Sequence, residues 1–90
     1  MLTANDFGPV TQHPYGMLEG YQNASEKEST LAFILSEALK AGDLNTAVNT
    51  THNHPDMVGY GLLIEVSERE YRLSKKAIGL LYSVYGKEIS

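Results

Sequence analysis

Between Val58 and Val66 the apolar positions fall on every second residue: Val58, Tyr60, Leu62, Ile64 and Val66 alternate with Gly59, Gly61, Leu63, Glu65 and Ser67. That period of two predicts a strand whose buried face is the first set. Ser67, Glu68, Arg69 and Glu70 interrupt the pattern, and Tyr71, Arg72 and Leu73 resume it. A four-residue loop sets Val66 opposite Tyr71 and Ile64 opposite Leu73, so the segment is expected to close as a hairpin. At Ser74 the period becomes helical, with Ile78, Leu81, Tyr82 and Tyr85 on one stripe and Gly86 as the stop.

Upstream, Ser25 and Glu28 have the spacing of a capping box just ahead of an apolar periodic run. A helix over residues 26–41 is predicted, with Leu31, Ile34, Leu35, Ala38 and Leu39 as its stripe and Gly42 as its stop. Phe33 falls about 200° from Leu31, off the stripe, where either the N-terminal arm covers it or a partner does. The arm is the expected cover. Asp43 is placed as the cap of a short second helix over residues 44–51, its inward side being Leu44, Ala47, Val48 and Thr51. Asn49, Thr50 and Thr51 are poor helix formers, so that helix is expected to be short or frayed. A polar turn over residues 52–56 then leads to one helical turn with Pro55 at its first position.

Residues 1–24 show neither period and are punctuated by Gly8-Pro9, His13-Pro14, Gly16 and Gly20. They nevertheless carry Phe7, Val10, Tyr15, Met17, Leu18 and Tyr21, too many apolar groups for a solvated tail. Part of this arm is expected to pack over the domain. The fold expectation is therefore a small α+β domain over residues 25–90, running helix, short helix, β-hairpin, helix, with an irregular N-terminal arm over residues 1–24.

That order is the order of a winged helix-turn-helix. The stretch Gly61-Leu62-Leu63-Ile64 through Tyr71-Arg72-Leu73-Ser74-Lys75-Lys76-Ala77-Ile78 resembles the wing segment of MarR-type winged-helix domains. In that family a Gly-Leu-hydrophobic strand leads through a polar wing to a Tyr-x-Leu-Thr/Ser strand end that caps a helix. The resemblance implies a winged-helix fold of degenerate type. It also implies a dimer, since winged-helix proteins often associate through the helix after the wing.

Charge changes what that fold is expected to do. The chain carries 90 residues and a net charge of −4, and residues 41–68 contain no Lys or Arg. A DNA-reading relative puts its second motif helix in the major groove and holds phosphates with cations there and on the wing. Here the corresponding segment, residues 45–56, offers Asn45, Asn49 and Asn53 for base edges but no cation, and the wing tip sets Glu68 and Glu70 around Arg69. The counterion-releasing contacts that supply most nucleic-acid affinity are missing. With 42% hydrophobic residues the chain makes one small domain that buries roughly 60–65% of its unfolded surface, so association would stabilise it. It has no cysteine, hence neither a disulfide framework nor a thiolate zinc site. Gly8, Pro9, Pro14 and Gly16 break any early apolar run, so no signal peptide or membrane span is expected and the cytoplasm is the expected compartment.

One stretch invites catalysis. Thr51-His52-Asn53-His54-Pro55-Asp56-Met57 resembles the His-x-His-x-Asp-His signature of metallo-β-lactamase-fold hydrolases, with Met57 in the last position. A catalytic zinc needs three protein ligands and a water; His52 and His54 supply two, and Asp56 or His13 would have to complete the set. The plainer expectation is a polar turn that starts a helix. No phosphate loop is expected, because Gly59 and Gly61 are read as lying inside a strand. No catalytic residue, metal or cofactor is assigned.

The last helix carries a wider apolar arc than one core needs: Leu80, Val84, Ala77, Leu81, Tyr85, Ile78 and Tyr82 span roughly 200°, against about 100° for a helix covering one core. The expected function is a non-catalytic protein-binding regulator or inhibitor, similar to the small acidic phage or mobile-element regulators that occupy a host complex. Its partner-binding residues are expected to be Phe33, Leu80, Tyr82, Val84, Tyr85, Glu68, Arg69 and Glu70, with a homodimer centred near Val84. The alternatives are a dimeric DNA-binding transcriptional regulator and, third, a metal-dependent hydrolase using His52, His54 and Asp56.

Overall fold

The computed structural model describes residues 1–10 and 16–87. The arm residues His13 and Tyr15 lie outside the described set. Helix α1 spans Ala24–Ala41 and buries Leu31, Ile34, Leu35 and Ala38, the expected stripe, with Leu39 packed at its margin. It ends as predicted, on Gly42 at φ 75°, whose N–H reaches the Ala38 and Leu39 carbonyls. Its start differs. The cap position is Asn23, in the left-handed region at φ 54°, and Ser25 lies inside the first turn. Glu28 forms no box with Ser25: it is buried and accepts the Leu18 N–H at 2.8 Å. A buried backbone donor in the arm competes for that carboxylate and wins, because leaving it unpaired costs more than leaving a solvated helix end uncapped.

The predicted second helix does not form. Asp43 closes a turn instead, accepting the Asn45 N–H on Oδ1 at 2.9 Å and the Thr46 N–H on its carbonyl at 3.1 Å. Residues Val48–Asn49 make a short strand, β1. The run Val48, Asn49, Thr50 and Thr51 favours extended backbone, and it finds hydrogen bonds on a neighbouring strand that a short helix could not supply. Leu44 and Val48 point inward as expected, whereas Ala47 and Thr51 are exposed. One helical turn then follows, α2 over Pro55–Gly59, with Pro55 at its first position as predicted. Gly59 therefore ends a helix rather than lying inside a strand. Gly61, at φ 75°, turns the chain into the hairpin.

Strands β2 (Leu63–Ser67) and β3 (Glu70–Leu73) pair antiparallel, but one residue out of the expected register. Leu63 faces Leu73 and Glu65 faces Tyr71, after which a bulge at Val66 brings Ser67 opposite Glu70. The loop is thus Glu68-Arg69, with Arg69 at φ 59°, and not four residues. A one-residue slip exchanges the faces. Leu63 is buried while Ile64 and Val66, expected inside, are exposed, as are Val58 and Tyr60. Leu62 was placed correctly; it is buried in the link before β2, donating its N–H to the Met57 carbonyl at 2.9 Å.

The sheet is antiparallel with order β1-β3-β2. Its inner face, Val48, Tyr71, Leu73 and Leu63, packs on α1, on Met57 of α2 and on Leu81 of the last helix, α3 (Lys75–Tyr85). Ser74 caps α3 by accepting the Ala77 N–H at 3.1 Å and donates to the Gly61 carbonyl at 2.6 Å, so one side chain ties helix and hairpin together. Gly86 stops α3 in extended rather than left-handed backbone; a Cβ there would meet the Tyr82 carbonyl oxygen at 2.5 Å. The arm joins the same core. Phe7 and Leu18 are buried, Phe7 packs edge-on to Tyr82 with centroids 5.8 Å apart, and the Gly8 and Lys87 N–H groups donate to the Tyr85 and Asp6 carbonyls, each at 2.8 Å. The whole is a small α+β domain. Among the described residues no helix is long and apolar enough to cross a membrane.

Candidate protein interface

Two structural accidents of sequence expose apolar side chains on one end of the molecule. The bulge leaves Val66 53% exposed at the hairpin tip, and α2 leaves Val58 uncovered beside it. Between them lies a cleft of about 700 Å³. Pro55 and Val58 form one wall, Glu65, Val66 and Glu68 the other, and Tyr71 lies between. Its lining includes no Lys, Arg or His. Ser67 and Glu70 close the hairpin tip with a side-chain hydrogen bond, donated by the serine hydroxyl, beside the left-handed Arg69.

Phe33 stands in a second, smaller hollow of about 220 Å³ with Ser29, Thr30, Thr50, His52 and His54. The described residues of the arm leave it open: Phe33 is 48% exposed. Thr50 holds this side of the turn against the hairpin, donating its N–H to the Arg69 carbonyl at 2.9 Å, and Thr51 sits at φ 63° with its N–H on Asn49 Oδ1 at 2.8 Å. A β-branched residue rarely adopts that conformation; the Asn49 bond and the β1–β3 pairing hold it there.

Of the turn residues read for metal chemistry, His54 and Asp56 have other partners. His54 precedes α2, its backbone N–H donating to the Tyr71 hydroxyl at 2.9 Å and its ring edge-on to Tyr71 with centroids 5.6 Å apart. Asp56 binds the buried Lys27 ammonium at 3.1 Å and the Met57 N–H at 2.9 Å. His52 is exposed. Among the described residues no three His, Asp or Glu side chains gather as a metal-binding group. Of the residues read for base edges, Asn45 is in the turn after α1, Asn49 in β1 and Asn53 at the cleft, so they share no helix.

Titration of this turn has a definite sign. Burial, the main cause, lowers the His54 pKa below the ordinary 6.5; the Asp56 carboxylate opposes this and His52 adds to it. The unfolded chain therefore takes up the proton first. His54's contribution to stability is complete above about pH 6.5 and is lost as the pH falls through the folded value. For Asp56 desolvation is the largest single cause and works upward, but the Lys27 and Met57 hydrogen bonds and the Lys27 charge together outweigh it and hold the pKa below 3.8, so its contribution is lost at still lower pH. The urea midpoint is expected to fall between pH 7.5 and 5.5, and His54→Gln is expected to flatten that fall; an unchanged slope in the variant contradicts the assignment.

The α3 residues lie apart from this end. Tyr85 is buried in the core and burial raises its phenol pKa; Tyr82 faces Phe7, so the arm meets one side of the wide apolar arc. Leu80 is half-buried and Val84 remains 42% exposed. Val58, Glu65 and Val66 were absent from the predicted surface because the alternating pattern assigned both valines to the core. Leu62-Leu63 was the signal for the other register: two adjacent apolar residues let either parity face inward. No protein-family model matches the chain, and neither curated proteins nor solved structures give a significant match.

Proposed function

We propose that this chain is a non-catalytic, protein-binding regulator or inhibitor, working in the cytoplasm and built on a degenerate winged-helix domain. The order α1, β1, α2, hairpin, α3 supports the fold reading, with a short strand where the wing-containing pattern suggested a short helix. The observation that carries the functional reading is the surface around residues 45–58. Where a DNA reader needs a cationic recognition helix, this chain has a turn, a two-residue strand and a five-residue helix, flanked by exposed Phe33, Val58, Tyr60 and Val66. Exposed Val58 and Val66 beside Glu65 and Glu68 in one cleft fit a protein partner, and those carboxylates repel a phosphate backbone. The resemblance to phage and mobile-element regulators makes a host complex the favoured class of partner.

An anisotropy titration with random duplex tests the reading. At physiological salt the affinity is expected to be no tighter than the nonspecific range of about 10⁻⁴ to 10⁻⁶ M. Nanomolar binding with a steep salt dependence overturns the proposal in favour of a DNA-binding regulator.

A further inference from the structure

The hollow around Phe33 is rich in hydrogen-bond acceptors and short of donors. A hydroxyl carries one hydrogen and two lone pairs. Thr30 donates its hydroxyl to the Glu26 carbonyl at 3.0 Å, and Thr50 donates its own to the His52 carbonyl at 2.6 Å. What these two lining oxygens can offer a guest is therefore lone pairs. The backbone donors of the turn are spent as well: the Thr50, Thr51 and His54 N–H groups go to the Arg69 carbonyl, Asn49 Oδ1 and the Tyr71 hydroxyl. Burial keeps the His54 ring neutral at pH 7.5. Beside these acceptors stands an aromatic ring that is 48% exposed.

Charge points the same way. Glu26, Thr30, Phe33 and Glu37 recur at helical spacing on one stripe of α1, which puts one carboxylate a turn before Thr30 and another a turn after Phe33. Lys40 offsets Glu37 at 3.0 Å, and no ion pair among the described residues holds Glu26. The lining contains no Lys or Arg; Arg69, whose carbonyl holds Thr50, is not part of it. A cation that carries several donors is what such a hollow lacks. An ammonium is compact and strongly hydrated, whereas a guanidinium stacks flat on an aromatic face and directs its N–H groups outward in its own plane. An open hollow, which leaves its guest partly in water, favours the second.

We infer that the Phe33 hollow takes an arginine side chain of the partner protein, its guanidinium stacked on the Phe33 ring and its N–H groups donating to the Thr30 and Thr50 hydroxyl oxygens. The inference rests on the protein-binding reading and specifies the partner's chemistry.

The probe is N-acetyl-arginine methylamide, titrated at pH 7.5 into the isotope-labelled chain while its amide shifts are followed by NMR. Two controls accompany it: the lysine compound, and the citrulline compound, which keeps the shape of arginine without its charge. Saturable shifts are expected at Phe33, Thr50 and Thr51 with the arginine compound, weaker ones with lysine, and none that saturate with citrulline. Phe33→Leu, whose own spectrum reports that it is folded, is expected to weaken binding about two- to fivefold, the scale of an exposed cation–π contact. No saturable shift in the parent, equal binding of either control, or undiminished binding by Phe33→Leu overturns the inference. These outcomes are separable from the wider reading. A chain that ignores the arginine compound yet crosslinks to a protein from position 33 loses only this assignment, whereas nanomolar duplex binding removes the reading beneath it.

Discussion

Alanine at position 18 is expected to lower the unfolding free energy by about 2–5 kcal/mol, the range for deleting a fully buried leucine. A domain of this size holds in total only about 5–13 kcal/mol. Leu18 belongs to the arm, is fully buried, and brings its backbone N–H to the Glu28 carboxylate inside the domain. Phe7→Ala should cost about 3–5 kcal/mol, because Phe7 fills the space between the arm and Tyr82. Urea unfolding checks both. If the arm were a tail laid loosely on the surface, each substitution would cost well under about 1 kcal/mol, as surface changes usually do.

Lys27→Met is expected to cost about 1.5–3 kcal/mol, the worth of hydrogen bonds to a charged group. Lys27 is buried although charged, and three elements meet on its ammonium: the Gln22 carbonyl at the end of the arm, Asp56 Oδ2 of α2 at 3.1 Å, and the Tyr60 ring with its centroid 5.7 Å away. Methionine keeps the aliphatic stem and removes only the head, leaving the Gln22 carbonyl and Asp56 without that donor. Asp56→Asn should cost less, under about 1 kcal/mol, since the Asp56 side chain is 54% exposed and water replaces much of what it loses. At about 4–8 °C per kcal/mol, the Lys27 variant should melt at least about 6 °C lower. Equal effects of the two substitutions would mean that the ion pair alone, and not the three-way junction, holds α1, α2 and the arm together.

Where local chemistry and packing agree, the chain could be read in advance. Ser74 at a strand end, Gly42 after an apolar stripe and Pro55 after a polar turn each do in the structure what their side chains favour locally. The readings that failed depend on partners far along the chain. Glu28 leaves a helix box for Leu18, ten residues earlier, and Val48 leaves a helix for Tyr71, twenty-three residues later. The hairpin faces hinged on one bulged residue, Val66, which an alternating pattern cannot reveal because the pattern reads the same with its partner strand slipped by one. The candidate interface inherits that error. Phe33 and Glu68 were legible as an off-stripe aromatic and a wing-tip acid, while Glu65 and Val66 became visible only once the register was known, and Val58 only once α2 replaced the start of the expected strand.

The central claim is that the exposed end around Phe33 and the hairpin meets a protein. Photo-crosslinking in the cell tests it most directly, with p-benzoylphenylalanine in place of Phe33 and, in a second variant, in place of Val84. From position 33 the account predicts an adduct with one other protein. From position 84 it predicts an adduct of twice the chain's mass, the homodimer through α3. Adducts from position 33 with nucleic acid, or none at all, would contradict it.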